Sequence, residues 1–451
     1  MKNPLQITTN YALFFLILFG ESCTIKNEVT LSQISSTKSI VNNQYAIPER
    51  EIVHKAEQFL IGLVNSSQRN GGEGSISSMN LSQKEAQIDM VVRYIDSQQG
   101  GIGSYEEIPV YVINYTDKRS NKSGGHVVIS GDRRVNKIFV YSDTGLWNDE
   151  NPLMAGFIHW FWHGVDKVLE NELALLKDNA HEEGDGGNRS IHPPCPLCEY
   201  YYSYDIYDTA KRLPQLVHWD QVNPYNAKLE PACDPALPGL NSFYPTGCGV
   251  TAMGQIMAHN QKPTSGSYVN YLGQTVYTTY SWNEMTASPF IGSLTSSAQE
   301  QVQYLMAEIG KRTNTTYSCT AADVNIIKIK SGFTSMGYSY DAESWFNFAT
   351  VMLDINANRP LLGLSYSPMP MTNSNFTDHA WMIDGYSRHT VEMTETRYCP
   401  TVPSGPQNPV VLKYYDHTDN VHCNIGDGLF GQNYPSGLFL NNTSKIISNI
   451  K

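Results

Sequence analysis

Two apolar periods alternate along this chain and divide it into regions. Ala56, Phe59, Leu60, Leu63 and Val64 recur at three- and four-residue steps, which predicts a helix with one buried face. Ile88, Val91, Val92 and Ile95 keep the same spacing and predict a second helix. The pattern then shifts to short runs at residues 110–114, 126–130 and 137–141, parted by polar, glycine-containing turns, and these predict strands. Asn151-Pro152 opens a long helix, with asparagine as cap and proline in the first position. Its apolar face runs through Met154, Phe157, Ile158, Phe161, Trp162, Val165, Leu169, Leu173 and Leu176. Together these elements predict a small α+β domain over residues 45–180.

Residues 181–190 lose all periodicity and turn polar and glycine-rich; the stretch 181–211 reads as a linker, the kind of segment that proteases cut. A second domain is expected over 212–451. It opens with the turn-rich Trp219-Asp220-Gln221-Val222-Asn223-Pro224-Tyr225-Asn226. Val250, Met253, Ile256 and Met257 then stripe a helix capped by Thr246, and further helices are predicted over 298–313 and 342–356. Strands are predicted at 361–366, 379–386, 410–415 and near 437–440. Helices followed by an antiparallel sheet make an α+β two-layer pattern.

Composition narrows the partners. With 31 basic against 43 acidic side chains the net charge is −12, which argues against a nucleic-acid partner. Lys2, the apolar run from Tyr11 to Phe19 and the small residues before Cys23 read as an export signal, residues 1–23, too short to span a bilayer. Gly20-Glu21-Ser22-Cys23 looks like a lipoprotein processing site at which Cys23 is lipidated, although Glu21 departs from the usual residue and leaves plain secretion open. A Ser/Thr/Asn-rich tether follows over residues 24–44. Export implies an oxidising compartment, and Cys195-Pro196-Leu197-Cys198, without a second pair at zinc spacing, is read as a local disulfide. His159 and His163 stand four apart on the long helix but lack a third ligand nearby; no metal site and no cofactor are expected.

One helix carries chemistry. Thr246-Gly247-Cys248 puts a cysteine in the first turn, where unpaired N–H groups and the helix dipole favour a thiolate. A structural, buried cysteine is the competing reading. A nucleophile needs a proton carrier, and His379 in Thr377-Asp378-His379-Ala380-Trp381-Met382 stands at the mouth of an apolar strand. The other histidines have bland surroundings, and His259 lies too far along the cysteine's own helix.

The segments around Cys248 and His379 closely resemble the two catalytic segments of the streptopain-like cysteine peptidases. Residues 219–226 are similar to the start of the mature enzyme in that family, and 110–145 to its inhibitory propeptide. The resemblance implies a papain-like, two-lobed peptidase domain preceded by the propeptide domain, and a bacterial zymogen that is secreted or held on the outer surface. Cys248 would attack the peptide carbonyl, His379 would exchange the proton, and the backbone N–H of Cys248 would help hold the oxyanion. Implied partners are protein or peptide substrates and the chain's own propeptide; a lipidated Cys23 would add membrane attachment. One segment departs from the family pattern. Where the family has Asn-Trp-Gly-Trp, this chain has Asn424-Ile425-Gly426-Asp427, so both tryptophans of the cleft wall are replaced. A polar residue of the family falls at Leu364 here, and a Cys399–Cys423 disulfide would bracket the altered stretch. The alternative is a degenerate surface lipoprotein of the same fold that binds without cleaving.

Overall fold

Eleven strands of one antiparallel sheet run through the molecule from its N-terminal region to its last residues. The computed structural model describes residues 44–69, 84–96, 105–118, 123–135, 137–142, 145–148, 154–183, 199–214, 217–234, 242–319, 321–365, 379–398, 410–426, 432–440 and 444–451. The segment Asn43–Lys451 forms one compact unit. The export and tether readings, with Cys23, lie outside the described residues, as do Asp427, Cys195, Cys198 and Cys399.

In chain order the N-terminal region holds α1 (Glu49–Arg69), β1 (Lys84–Asp96), β2 (Tyr105–Asp117), β3 (Ser123–Ser130), β4 (Ile138–Ser142) and α2 (Ala155–Glu183). After β5 (Glu199–Arg212) come α3 (Cys248–Asn260), the β6 (Ser265–Val269) and β7 (Thr275–Thr279) hairpin, α4 (Trp282–Met285) and α5 (Ser296–Arg312). Then follow β8 (Thr316–Tyr317), β9 (Ala322–Asp323), α6 (Ile326–Ser335), β10 (Ser344–Trp345) and α7 (Phe348–Asn356). The chain closes with β11 (Leu361–Ser365), β12 (His379–Tyr398), β13 (Val410–Asn424), β14 (Gln432–Pro435), α8 (Ser436–Leu440) and β15 (Ser444–Ile447). The sheet order is β1-β2-β3-β4-β14-β13-β12-β11-β15-β10, with β5 on β12, and the pairing Asn433 to Tyr141 joins the N-terminal strands to the C-terminal ones.

Strand alternation sorts the side chains between two layers. On β12, Trp381 and Ile383 join one core while Ala380 and Met382 join another; on β11, Leu361 parts in the same way from Leu362 and Leu364. The first core is roofed by α2, whose Trp160 lies 4.9 Å from Trp381 and 5.3 Å from Phe439 between ring centres. The second is roofed by α3, α5 and α6 through Val250, Met253, Ile256, Leu305, Ile309 and Phe333. In the N-terminal sheet the opposite parity sends Val110, Val112 and Val128 toward α2, and Tyr111, Ile113 and Ile129 toward Ile52, Ala56 and Leu60 of α1.

Several elements differ from the sequence reading. Residues 84–96 form a strand, paired with β2 in unbroken register from Lys84–Asp117 to Asp96–Tyr105, instead of a helix. Ala86, Ile88 and Met90 supply the period of two that packs against the α1 core, while Val91 and Ile95 face the α2 core on the other side; the helical spacing of 88, 91, 92 and 95 lost to long-range pairing. The second half of the 181–211 linker is β5, fully paired along 385–398. Residues 436–440 are a helix where a strand was expected, and the helix expected over 342–356 begins only at Phe348, where Asn347 accepts from the Thr350 N–H at 3.2 Å. Cys423 is a free, buried thiol on β13, so the Cys399–Cys423 disulfide is not formed. Among the described residues a disulfide joins Cys233 to Cys319.

Candidate active site

Cys248 is the first residue of α3, but the cap is Gly247 rather than Thr246. Gly247 has φ +90°, and a Cβ there would lie 2.7 Å from the Ala322 Cβ, so both backbone sign and space require glycine. Thr246 instead pairs its hydroxyl with that of Thr251 at 2.9 Å, while its N–H donates to the Gln221 carbonyl at 2.8 Å. These contacts fix the loop that presents the cysteine.

Cys248 is half-buried, packed against the α3 core. Burial pushes the Cys248 thiol up to about 11, although the N–H groups of Ala380, Gly249 and Cys248 itself pull the other way. The expected low-pKa thiolate at the helix start is therefore not the state seen here: desolvation outweighs the helix-end donors. The Ala380 N–H facing the sulfur belongs to the residue after His379, which brings the α3 start and the β12 start together.

His379 is buried, and its ring follows the parity of Trp381 toward α2. Phe157 of α2 stands 5.2 Å from it between ring centres. Nε2 is 3.0 Å from the Ile425 carbonyl; a carbonyl only accepts, so Nε2 carries the proton and Nδ1 keeps its lone pair. Burial lowers the imidazole to about 4 against the partial support of that carbonyl. Among the described residues no hydrogen bond joins Cys248 to His379. At neutral pH the two stand as a neutral thiol and a neutral base.

Asn424 does not reach His379. Its Oδ1 accepts from Gln255 Nε2 at 2.9 Å and from the Gly426 N–H at 3.3 Å, and its Nδ2 donates to the Val217 carbonyl at 3.2 Å. Ile425 is buried, and through its carbonyl rather than its side chain it holds the histidine. Gln221 Nε2 lies 3.4 Å from the Gly426 carbonyl and 3.7 Å from Met154 Sδ, so the N-terminal region touches this wall at Met154 and Phe157 both. Leu364 is buried on the β11 face toward the α3 core. Gln221 and Gln255 escaped the sequence reading because a lone amide carries no spacing signal; only their partners mark them.

Among the described residues no group of three or more metal-ligating side chains gathers in one place, and no helix is long and apolar enough to cross a membrane. What the arrangement offers is a thiol at a helix start, an imidazole base on the adjoining strand and backbone donors between them, roofed on the histidine side by α2.

Comparison with known proteins agrees on the chemistry class. Residues 219–434 match the model of the Peptidase C10 family. Streptopain of Streptococcus pyogenes is 23% identical over 357 residues, covering 70% of this chain and 79% of that protein. The thiol protease/hemagglutinin PrtT of Porphyromonas gingivalis is 32% identical over 200 residues, 42% of this chain and 20% of its own length. Among solved structures, a Prevotella intermedia prointerpain A fragment matches at 16% identity with a TM-score of 0.44, over 79% of this chain and 98% of that one.

Proposed function

We propose that this chain, streptopain-like in sequence and matching the Peptidase C10 family at residues 219–434, is a cysteine endopeptidase exported as a latent precursor. Cys248 is the nucleophile and His379 the proton carrier. The observation that supports the reading is the Ala380 N–H facing the Cys248 sulfur, contributed by the residue next to His379 at the junction of α3 and β12.

In this reading the Cys248 thiol gives its proton to Nδ1 of His379 as sulfur bonds to the peptide carbonyl carbon. The Cys248 N–H, unpaired at the helix start, donates to the oxygen that becomes negative. The imidazolium then protonates the departing amine, and water hydrolyses the thioester to restore the thiol. Ile425 holds Nε2–H throughout, so Nδ1 stays free for transfer. α3 and the β11–β12 layer form the two walls of the cleft, and residues 45–183 act as the propeptide.

Latency follows from the same contacts. α2 covers the histidine with Phe157 and keeps it dry, so the imidazole stays uncharged near neutral pH. Removing α2 admits water, which raises the histidine toward its ordinary value. Export and lipidation at Cys23 rest on the sequence of residues 1–23.

Mass spectrometry of the purified wild type beside Cys248→Ala, under reducing conditions with a denatured protein as substrate, tests the reading. The wild type is expected to process itself and to cleave the substrate, both blocked by a thiol-directed epoxide, while Cys248→Ala does neither. An intact wild type that leaves the substrate whole after its N-terminal region has been digested away overturns it.

A further inference from the structure

We infer that Gln255 is a positioning residue for His379, acting from α3 through Asn424 and the Ile425 carbonyl; the inference rests on the peptidase reading above. Gln255 lies seven residues after Cys248, about 10 Å along the helix at 1.5 Å per residue, so it cannot touch the reacting atoms. It is buried, and its Nε2 donates twice: to the Trp219 carbonyl at 3.1 Å and to Asn424 Oδ1 at 2.9 Å. Both neighbours are acceptors, so the amide has one workable orientation; turned over, Oε1 would face two oxygens. Asn424 is locked in the same way, because its Nδ2 must meet the Val217 carbonyl while its Oδ1 meets the Gly426 N–H.

One side chain thus ties three segments together: the cysteine helix, the 217–219 segment and the 424–426 turn. That turn ends at Gly426, with φ +75° and a built Cβ 3.1 Å from Thr251 Cγ2 of α3, so it rests on the cysteine helix twice. Its middle residue offers the carbonyl that fixes the Nε2–H of His379. The nucleophile and the base therefore share one mount. The 424–426 turn is held by the side-chain amides of Asn424 and, through it, Gln255. Gln255 Oε1 is buried without a donor, a desolvation cost that purely structural packing would avoid with an apolar residue of the same size.

The test uses the full chain under reducing conditions, reading the rate of Cys248 alkylation by iodoacetamide from about pH 4 to pH 9, with peptide kinetics beside it. Gln255→Met keeps the volume and removes both donations. We expect its thermal midpoint to stay near the wild-type value, its KM to stay within about twofold, its kcat to fall about tenfold, and the acid limb of the alkylation profile to move by about half a unit or more. Asn424→Ala should produce the same shift, and the double variant no further loss, because the two act in series. A wild-type limb that Gln255→Met leaves in place, or losses that add in the double variant, overturns the inference alone. A wild-type profile with no limb at all, Cys248 reacting as a free thiol does, overturns the peptidase reading and the inference with it.

Discussion

His379 and His126 are neutral for the same reason: each ring is buried, and burial lowers each to about 4. His126 on β3 lies 5.6 Å from the Trp147 ring, with the Gly145 backbone and the Gln432 side chain as its polar neighbours. Because the unfolded histidine titrates near 6.5, the unfolded chain binds more protons between about pH 6.5 and 4. Stability is therefore full above that window and falls as pH drops through it. Asp220 opposes this. Burial raises it to about 6, so acidification from there to its ordinary value returns stability. Each shift is worth about 3 kcal/mol, leaving a net fall of about 3 kcal/mol. In denaturant titrations the wild type should weaken by that amount from pH 6.5 to 4, and His379→Ala should flatten the slope to under about 1 kcal/mol; an equally steep slope would refute the account. Cys248 and His379 were legible in the sequence because each sits in a rigid, patterned element. Their charge states were not, since the desolvation of His379 by Phe157 of α2 depends on a contact more than 200 residues away in the chain.

α5, held by local spacing, matched the sequence, and β1 and β5, held by distant partners, did not. α5 was read almost to the residue, because Thr295 caps it by accepting from the Ala298 N–H at 3.2 Å and its apolar stripe is unbroken. β1 and β5 were missed, since only their partners β2 and β12 decide them. β5 makes a prediction of its own. It is paired from Glu199–Tyr398 to Arg212–Gly385, and Leu213 then donates to the Asp384 carbonyl at 2.8 Å. A protease needs an extended, unpaired stretch in its cleft. Brief trypsin treatment of the Cys248→Ala chain should therefore spare the bonds after Lys211 and Arg212, as N-terminal sequencing of the fragments would show. Early cutting there would mean that β5 is not zipped to β12. The Cys233–Cys319 disulfide spans 86 residues. Closing a loop of that length contributes about 4–5 kcal/mol on the chain-entropy account. Cys233→Ser should lower the denaturation free energy by about that amount, and strong reductant should do the same to the wild type but not to the variant.

At the scale of the whole molecule one sheet runs through the N-terminal region and the rest of the chain, and that continuity bears on how the site opens. The backbone seam is thin, a single register pair between β4 and β14, so what holds the N-terminal region is side-chain packing. Phe157, Trp160 and Phe161 of α2 interleave with Trp381, Tyr434 and Phe439, with ring centres 4.9–6.3 Å apart across the seam. Aromatic side chains of this kind bury about 150–250 Å² each, and rings so arranged gain about 0.5–1.5 kcal/mol per pair beyond that. Cutting the connection between α2 and β5 breaks none of these contacts. A nicked chain should therefore elute from a sizing column as one particle containing both pieces, with Phe157 of α2 still covering His379. Activation then needs a second event, digestion or displacement of α2. The fragment 212–451 made alone should expose the Trp381–Phe439 face, bind an apolar dye and aggregate, whereas adding the 45–183 piece should suppress both. If the fragment alone is monomeric and dye-silent, the shared core is not what joins the two regions. If the nicked chain falls apart on dilution, one cut is enough to uncover His379.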